Sequence, residues 1–259
     1  MIKLFKLIFS IVAISLFLIY SSLFIYVELY DFIDVFNNEE FRFALRFTFI
    51  TALISATIIM LVSIPIGYVL SRTEFRFKTF ISSIFDVPLI LPSIVTGVAL
   101  LLFFGPVSGH WFNTVGLKVI FTPIGVVVAQ VVIGLPLAIR ACEQAFSSYD
   151  HRYEKVASTF GYTPWKIFMK VSLPMAKMGI ISGITMAWAR SMGEFGAISI
   201  VAGMTKFKTE TVSVAIFLNM SIGDIQFSVA LSIVMVLISI ILLTVLRVIE
   251  KKGRGKLYG

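Results

Sequence analysis

Six apolar runs of about twenty residues or more recur along the chain: Leu7–Val27, Phe43–Leu70, Phe80–Phe104, Thr122–Ala141, Met175–Val201 and Ile225–Val248. An α-helix rises about 1.5 Å per residue, so about 20 residues cross the roughly 30 Å hydrocarbon layer of a bilayer. In lipid the backbone N–H and C=O groups must be bonded within the protein, and a helix does this inside one segment. Hydrophobic residues are 58% of the chain and charged residues 14%, more apolar surface than a water-soluble fold of this length hides. The expected fold class is an all-α integral membrane protein with six transmembrane helices. Residues 1–42 would hold the first of them and an acidic outer loop, residues 43–248 a five-helix core, and residues 249–259 a basic tail. The first run is too long for the apolar stretch of a signal peptide and no A-x-A site closes it.

Charge orients these spans. Glu28–Glu40 carries Glu28, Asp31, Asp34, Glu39 and Glu40 and no basic residue, which places it outside. Arg72, Arg76 and Lys78 follow the second run, and Arg247, Lys251, Lys252, Arg254 and Lys256 gather in the tail. With both termini in the cytoplasm, sixteen of the 22 basic residues fall inside and five outside, Arg190 lying within the fifth run. The net charge of +8 is then a property of cytoplasmic loops, and no nucleic-acid partner is implied. The chain is expected to be a multi-pass protein of the cell membrane, in contact with lipid.

The longest stretch in the second half that cannot lie in a membrane is Tyr153–Pro174, YEKVASTFGYTPWKIFMKVSLP. It reads as helix, break, helix. Asp150 is placed to cap the first helix, Gly161 to end it in the left-handed conformation, and Thr163-Pro164 to start the second. Tyr153, Val156, Ala157 and Phe160 follow i, i+3, i+4, i+7 and form one apolar face. A helix of about ten residues is marginal alone in water, so this face needs something to dock against. Pattern alone fits its own chain, the lipid surface or a separate partner.

Two spans carry unusual features. In the fifth, Gly179, Gly183, Ala187 and Ser191 recur every four residues, a small-residue stripe that lets helix backbones approach closely. Arg190 and Glu194, one turn apart on the neighbouring stripe, are placed to pair. An ionisable residue at membrane depth is a functional candidate, with a helix tie as the rival reading. In the third, Pro88 and Pro92 are expected to interrupt the helix at Asp86–Gly97. That irregularity fits either a proline kink or backbone lining a wet cavity. The fourth span is expected to be broken by Gly134 and Pro136. Met204–Asp224 is read as an outer loop with a re-entrant or interfacial portion around Val212–Met220.

The segment Ala189-Arg-Ser-Met-Gly-Glu-Phe-Gly-Ala197 closely resembles the R-A-x-G-E-F-G-A segment of ABC importer permeases for molybdate, tungstate and sulfate. The Pro88–Pro92 stretch resembles a Pro-Leu-Val-Leu-Pro run lining the pathway in the same permeases. The Tyr153–Pro174 stretch resembles the EAA loop of ABC importers. With Gly161 on the family's glycine, Val171, Leu173 and Pro174 fall on the Ile-x-Leu-Pro end and Ala157 on the second Ala. Lys155 then stands where the family has Glu, Val156 where it has the first Ala, and Glu154 is one residue early. Together with Lys208-Thr-Glu-Thr211, the resemblance covers roughly Phe43 to Leu246.

What the resemblance implies is a homodimer around a central pathway, two ATP-binding cassette subunits, and an external binding protein that captures the oxyanion. It implies coupling to the ATPase by Tyr153, Glu154, Lys155, Val156, Ala157, Phe160, Gly161 and Trp165. It implies a pathway or gate at Pro88, Pro92, Ser93, Thr96, Gly97, Arg190, Ser191, Gly193, Glu194, Phe195 and Gly196. Lys206 and Lys208 are expected to favour the anion's approach from outside.

The chain has no phosphate-binding G-x-x-x-x-G-K-[ST] loop, no nucleophile–base constellation and no clustered metal ligands. The lone Cys142 excludes an internal disulfide and a cysteine-rich metal site, and His110 and His151 read as ordinary loop residues. No cofactor and no enzymatic activity of its own are expected. A stand-alone secondary transporter, with Arg190, Glu194 and Asp86 as an ion relay, is the second reading, and a membrane scaffold the third.

Overall fold

The computed structural model describes residues 2–27, 32 and 35–255. Glu28, Asp31, Asp34 and Lys256 lie outside the described residues, and with them most of the acidic outer loop. Among the described residues the architecture is helical throughout. Helix α1 (Ile2–Ser21) ends in a 3-10 turn, Ser22–Ile25, and α2 is Glu39–Arg72. Helices α3 (Lys78–Ile90) and α4 (Ser93–Leu102) follow, the latter continuing into a π turn, Phe103–Val107. Then come α5 (Gly109–Thr114), α6 (Pro123–Ser147), α7 (Arg152–Thr159) and α8 (Pro164–Ile167). The chain closes with α9 (Leu173–Met192), α10 (Gly196–Val201), α11 (Val212–Ser221) and α12 (Ile225–Gly255).

Five segments are long and apolar enough to cross a membrane: Ile2–Ile25, Glu39–Arg72, Pro123–Ser147, Pro164–Met192 and Ile225–Val245. The third expected span is not a straight crossing. It is the pair α3 and α4, bent by 112° at Leu91–Pro92, and counting it brings the total to six. Pro88 sits inside α3 without interrupting it, and the bend occurs at Pro92, whose extended ψ of 134° starts α4. The fourth span is likewise unbroken, because α6 runs through Gly134 and Pro136 and continues to Ser147. The fifth ends earlier than expected, at Met192, where Gly193–Phe195 interrupts the helix before α10. The apolar stretch around Val212–Met220 is α11, with Val212, Val214 and Ala215 buried.

Helix α6 is the centre of the packing, flanked by α2 and α9. Lipid tails are as apolar as leucine, so helices in a bilayer associate by close packing and internal hydrogen bonds. Both are present. Gly183 of α9 lies so close to α6 that a Cβ added there would stand 2.1 Å from the Cβ of Ala141. Gln130 of α6 is fully buried. Its Oε1 accepts the Ser55 hydroxyl of α2 at 2.8 Å, and its backbone oxygen accepts the Ser191 hydroxyl of α9 at 3.0 Å. The outward faces remain apolar and exposed, and α1 has no buried residue at all, as expected of a surface that meets lipid.

Candidate functional site

The Asp150–Pro174 stretch folds as its residues dictate. Asp150 accepts the Arg152 N–H at 2.9 Å and opens α7. Gly161, at φ +76°, closes it: the Gly161 N–H bonds the Ser158 oxygen at 3.0 Å and the Tyr162 N–H the Ala157 oxygen at 3.4 Å. This is a Schellman stop, which places the left-handed residue where only glycine is free of strain. Thr163 accepts the Lys166 N–H at 3.4 Å and Pro164 begins α8. On the outward face Tyr153 is 58% exposed, Val156 55% and Phe160 78%. Lys155 and Trp165 are exposed as well, and Ala157 is half-buried.

Glu154 points the other way. It is 5% exposed and is the one buried residue of α7. Its Oε1 accepts Nε of Arg72 at 3.0 Å, the Ser172 hydroxyl at 2.9 Å and the Tyr149 hydroxyl. Its Oε2 accepts the Tyr68 hydroxyl at 3.3 Å, and Nδ1 of His151 lies 3.0 Å away. The Arg72 guanidinium also stacks 4.6 Å over the Tyr149 ring. Burial alone would raise the Glu154 carboxyl, but hydrogen bonds from Tyr149, Ser172 and Arg72, with the Arg72 charge, hold it below the ordinary range. Burial and the Glu154 hydrogen bond push the Tyr149 phenol up to about 12. Glu154 is thus removed from the exposed docking face that the family register suggested, and His151 belongs to its surroundings.

The two interrupted spans meet. Helix α4 packs on α10, and the contact is close enough that a Cβ on Gly196 would stand 2.4 Å from the Ser93 hydroxyl. The pair expected in the fifth span forms: Nη1 of Arg190 donates to Oε2 of Glu194 at 2.8 Å. Oε1 of Glu194 accepts the Ala197 N–H at 2.9 Å and so starts α10 beyond the break. Glu194 is buried, Arg190 half in solvent, and Gly193 exposed. Gly97 is buried against Ala197 and Ile200 of α10, Thr96 is buried, Ser93 and Phe195 are half-buried, and Pro92 is exposed at the bend. Pro88 stands a turn away in α3.

Other expected site residues fall elsewhere. Ser191 faces α6, in the seam formed by the small-residue stripe, and not the junction of α4 and α10. Asp86 pairs with Arg140 through Nε at 2.8 Å and a second contact through Nη2, so its charge is matched away from Arg190 and Glu194. The proposed ion relay therefore divides into two separate pairs. Lys206 is bound to Glu40 at 2.7 Å, which removes its charge from the approach of an anion, while Lys208 is exposed.

Sequence reasoning missed the cluster around that last pair. Oε1 of Glu40 also accepts Asn219 at 2.6 Å, and the buried Glu210 accepts the Phe207 N–H at 3.0 Å through Oε2, leaving Oε1 without a partner. Burial raises the Glu210 carboxyl to about 7, with Glu40 adding to the rise. The signal was Lys208-Thr-Glu-Thr211, which carries part of the family resemblance but was not read as holding a buried carboxylate in the outer loop. Arg72 and Glu40 lie at opposite ends of α2. The Glu154 and Glu210 clusters are therefore about 50 Å apart along that 34-residue helix, on opposite sides of the bundle.

No group of three or more histidine, cysteine, aspartate or glutamate side chains able to hold a metal occurs among the described residues. Glu154 and Glu40 are each held by a basic side chain and further donors, whereas Glu210 is held by a backbone N–H.

The family described as "Binding-protein-dependent transport system inner membrane component" matches residues 63–255. The chain is 34% identical to a molybdenum transport system permease protein, ModB, of Mycobacterium tuberculosis, over 73% of this chain and 72% of that protein. It is 30% identical to the molybdate/tungstate transport system permease protein WtpB of Methanocaldococcus jannaschii, over 94% and 98% of the two chains. It is 27% identical to the sulfate transport system permease protein CysT of Escherichia coli, over 87% and 82%. Among solved structures the fold is similar to that of a bacterial ABC transporter involved in import of the acidic polysaccharide alginate, with TM-score 0.71 and 13% identity over 87% and 84%. It is also similar to the MetNI methionine ABC transporter in inward-facing form, with TM-score 0.62 and 17% identity over 83% and 98%.

Proposed function

This chain belongs to the family of binding-protein-dependent transport system inner membrane components, and we propose that it is the transmembrane subunit of an ABC importer for a tetrahedral oxyanion. The observation that carries the coupling part is α7. Its three large apolar side chains, Tyr153, Val156 and Phe160, stand exposed on a helix of eight residues that cannot hold itself up in water. We read that face as the part that inserts into an ATP-binding cassette subunit in the cytoplasm, with Trp165 beside it. The termini then lie inside, and the bent α3–α4 pair counts as one of six crossings. The cluster of Glu40, Lys206 and Glu210 lies on the outer side, where the loops meet an external binding protein.

Two copies of the chain enclose the pathway, and the junction of the two helix breaks is its gate. Breaks at Pro92 and at Gly193–Phe195 let short rigid pieces move against each other without unfolding a whole helix. ATP binding on the partner subunits would pull the α7 helices together and open the pathway outward, a rigid-body motion and not catalysis by this chain. ATP is hydrolysed on the partner.

For the substrate, molybdate or tungstate comes first, supported by relatives at 30–34% identity that carry those names. Sulfate is the second reading, supported by the CysT relative that matches 87% of this chain. Uptake of labelled molybdate into proteoliposomes tests the proposal. They would hold this chain with its ATP-binding subunit and be supplied with the binding protein, with tungstate and sulfate as competitors. The expected result is ATP-dependent uptake blocked by tungstate and not by sulfate. Strongest block by sulfate moves the substrate, and uptake without ATP overturns the importer.

A further inference from the structure

We propose that Glu154 is a positioning residue that clamps the docking helix to the ends of two membrane-crossing helices, so that a displacement of α7 is delivered to α9 instead of being absorbed in the loop. The inference rests on the reading of α7 as the docking helix and goes beyond it.

Helix α7 has hinges at both ends. The Asp150 turn precedes it and the left-handed Gly161 follows it. Its outward face is exposed, so its hold on the body is the inward face, where Glu154 is its one buried residue. Five groups converge on that carboxylate. Tyr68 and Arg72 come from the last turns of α2, Tyr149 and His151 from the link after α6, and Ser172 from the residue that precedes α9. Hydrogen bonds to an ionised acceptor are about twice as strong as neutral ones. Several of them on two oxygens fix a side chain's direction as well as its place.

The consequence lies along α9. That helix begins one residue after Ser172 and, at 20 residues, reaches about 30 Å to the Arg190–Glu194 pair and the break beside α10. A push on α7 carried through Glu154 and Ser172 therefore moves a rigid rod whose far end is the gate. With the clamp open, α7 would swing on Asp150 and Gly161 and α9 would stay in place.

The test uses the full complex of this chain, its ATP-binding subunits and the loaded binding protein. In Glu154→Gln the docking face is intact, so association with the ATP-binding subunit is retained. Stimulation of ATP hydrolysis by the loaded binding protein, and uptake with it, fall about tenfold, within the usual range for coupling between sites. Arg72→Gln gives the same loss, and the double variant is no worse than either, because the pair acts as one unit. Ser172→Ala removes one neutral donor and keeps the buried charge paired, so it guards against misfolding and gives a smaller loss in the same direction. Full stimulation in Glu154→Gln overturns the proposal. Lost association in that variant also overturns it, because Glu154 would then be a contact of the partner. A separate readout tests the clamp without any partner: amide exchange over residues 152–160 in the purified chain. It rises in Glu154→Gln if the clamp exists, and unchanged exchange overturns the clamp whatever α7 binds. Faster exchange in a chain that binds no ATP-binding subunit would leave the clamp standing and sink the docking reading.

Discussion

The seam between α6 and α9 gives the sharpest prediction about packing. In Gly183→Ala the new Cβ would stand 2.1 Å from the Cβ of Ala141, where ordinary contact begins at 3.4 Å. The two helices must therefore part by about 1.3 Å, since both atoms sit on rigid helix backbone with no rotamer to turn away. Overpacking of this kind costs about 1–3 kcal/mol. The displacement also stretches the hydrogen bond from Ser191 to the Gln130 oxygen, now 3.0 Å, and such bonds inside a membrane are worth about 0.6 kcal/mol each. A loss of about 2–3 kcal/mol is expected, which for a chain of this size is about 4–12 °C in Tm. Cys142 provides the probe. It is the only thiol of the chain, fully buried and adjacent to Ala141, so a thiol-reactive dye reports release of α6 on heating the detergent-solubilised protein. The reciprocal variant Ala141→Gly/Gly183→Ala keeps one methyl at the seam, on the other helix, and returns the melting curve close to the original. An unchanged Tm in Gly183→Ala, or a reciprocal variant no better than the single one, would refute the reasoning.

Three further outcomes follow from the site. Phe160→Asp abolishes co-purification with the ATP-binding subunit, and because Phe160 is 78% exposed in this chain the thermal stability stays within about 0.5 kcal/mol. Glu194→Gln lowers uptake while assembly persists, and normal uptake in that variant leaves the Arg190–Glu194 pair as a tie between α9 and α10. Burial and the neighbouring Glu40 raise the Glu210 carboxyl to about 7 against an ordinary 4.5, with Lys206 of its own loop opposing the rise. A folded value above the unfolded one favours the native state fully below pH 4.5, and the contribution is lost as pH rises through 7. Opening of the Lys206–Thr211 loop, read by amide exchange relative to the intrinsic rate at each pH, therefore rises between about pH 4.5 and pH 7, and Glu210→Gln flattens that dependence.

Much of this molecule is local and was legible without coordinates. A run of apolar residues long enough to cross a bilayer has few alternatives to a helix, because lipid offers no partner for an open backbone. The Gly161 stop and the Thr163-Pro164 start of α8 involve residues within five positions of each other. The small-residue stripe of α9 follows from the helical period, which fixes what shares a face, and the Arg190–Glu194 pair forms at the spacing expected although Glu194 lies just past the helix end. The same period led to the exposed face of α7 from Tyr153, Val156 and Phe160. Pro92 was placed at an interruption for the right reason, its missing donor, although the same reason applied to Pro88 and Pro136 and failed there, as did the conformational freedom of Gly134. A helix tolerates one lost hydrogen bond when its neighbours hold it, and α3 and α6 continue through theirs.

What the tertiary structure decided is what each face meets. The angular order of side chains around α7 was readable, but whether Glu154 turns to solvent or to Arg72, 82 residues earlier in the chain, depends on how α2 and α9 converge beneath the loop. Asp86 found Arg140 across 54 positions and Glu40 found Lys206 across 166, pairings that no periodicity encodes because helices moved a few ångströms would exchange them. Ser191 belongs to a seam, and Glu194 caps a second helix, for the same reason. The sequence by itself determined the helices, their caps and the requirement for a membrane. Only packing in three dimensions decided which charges are buried together, because Coulomb and hydrogen-bond partners are chosen by distance in space and not along the chain.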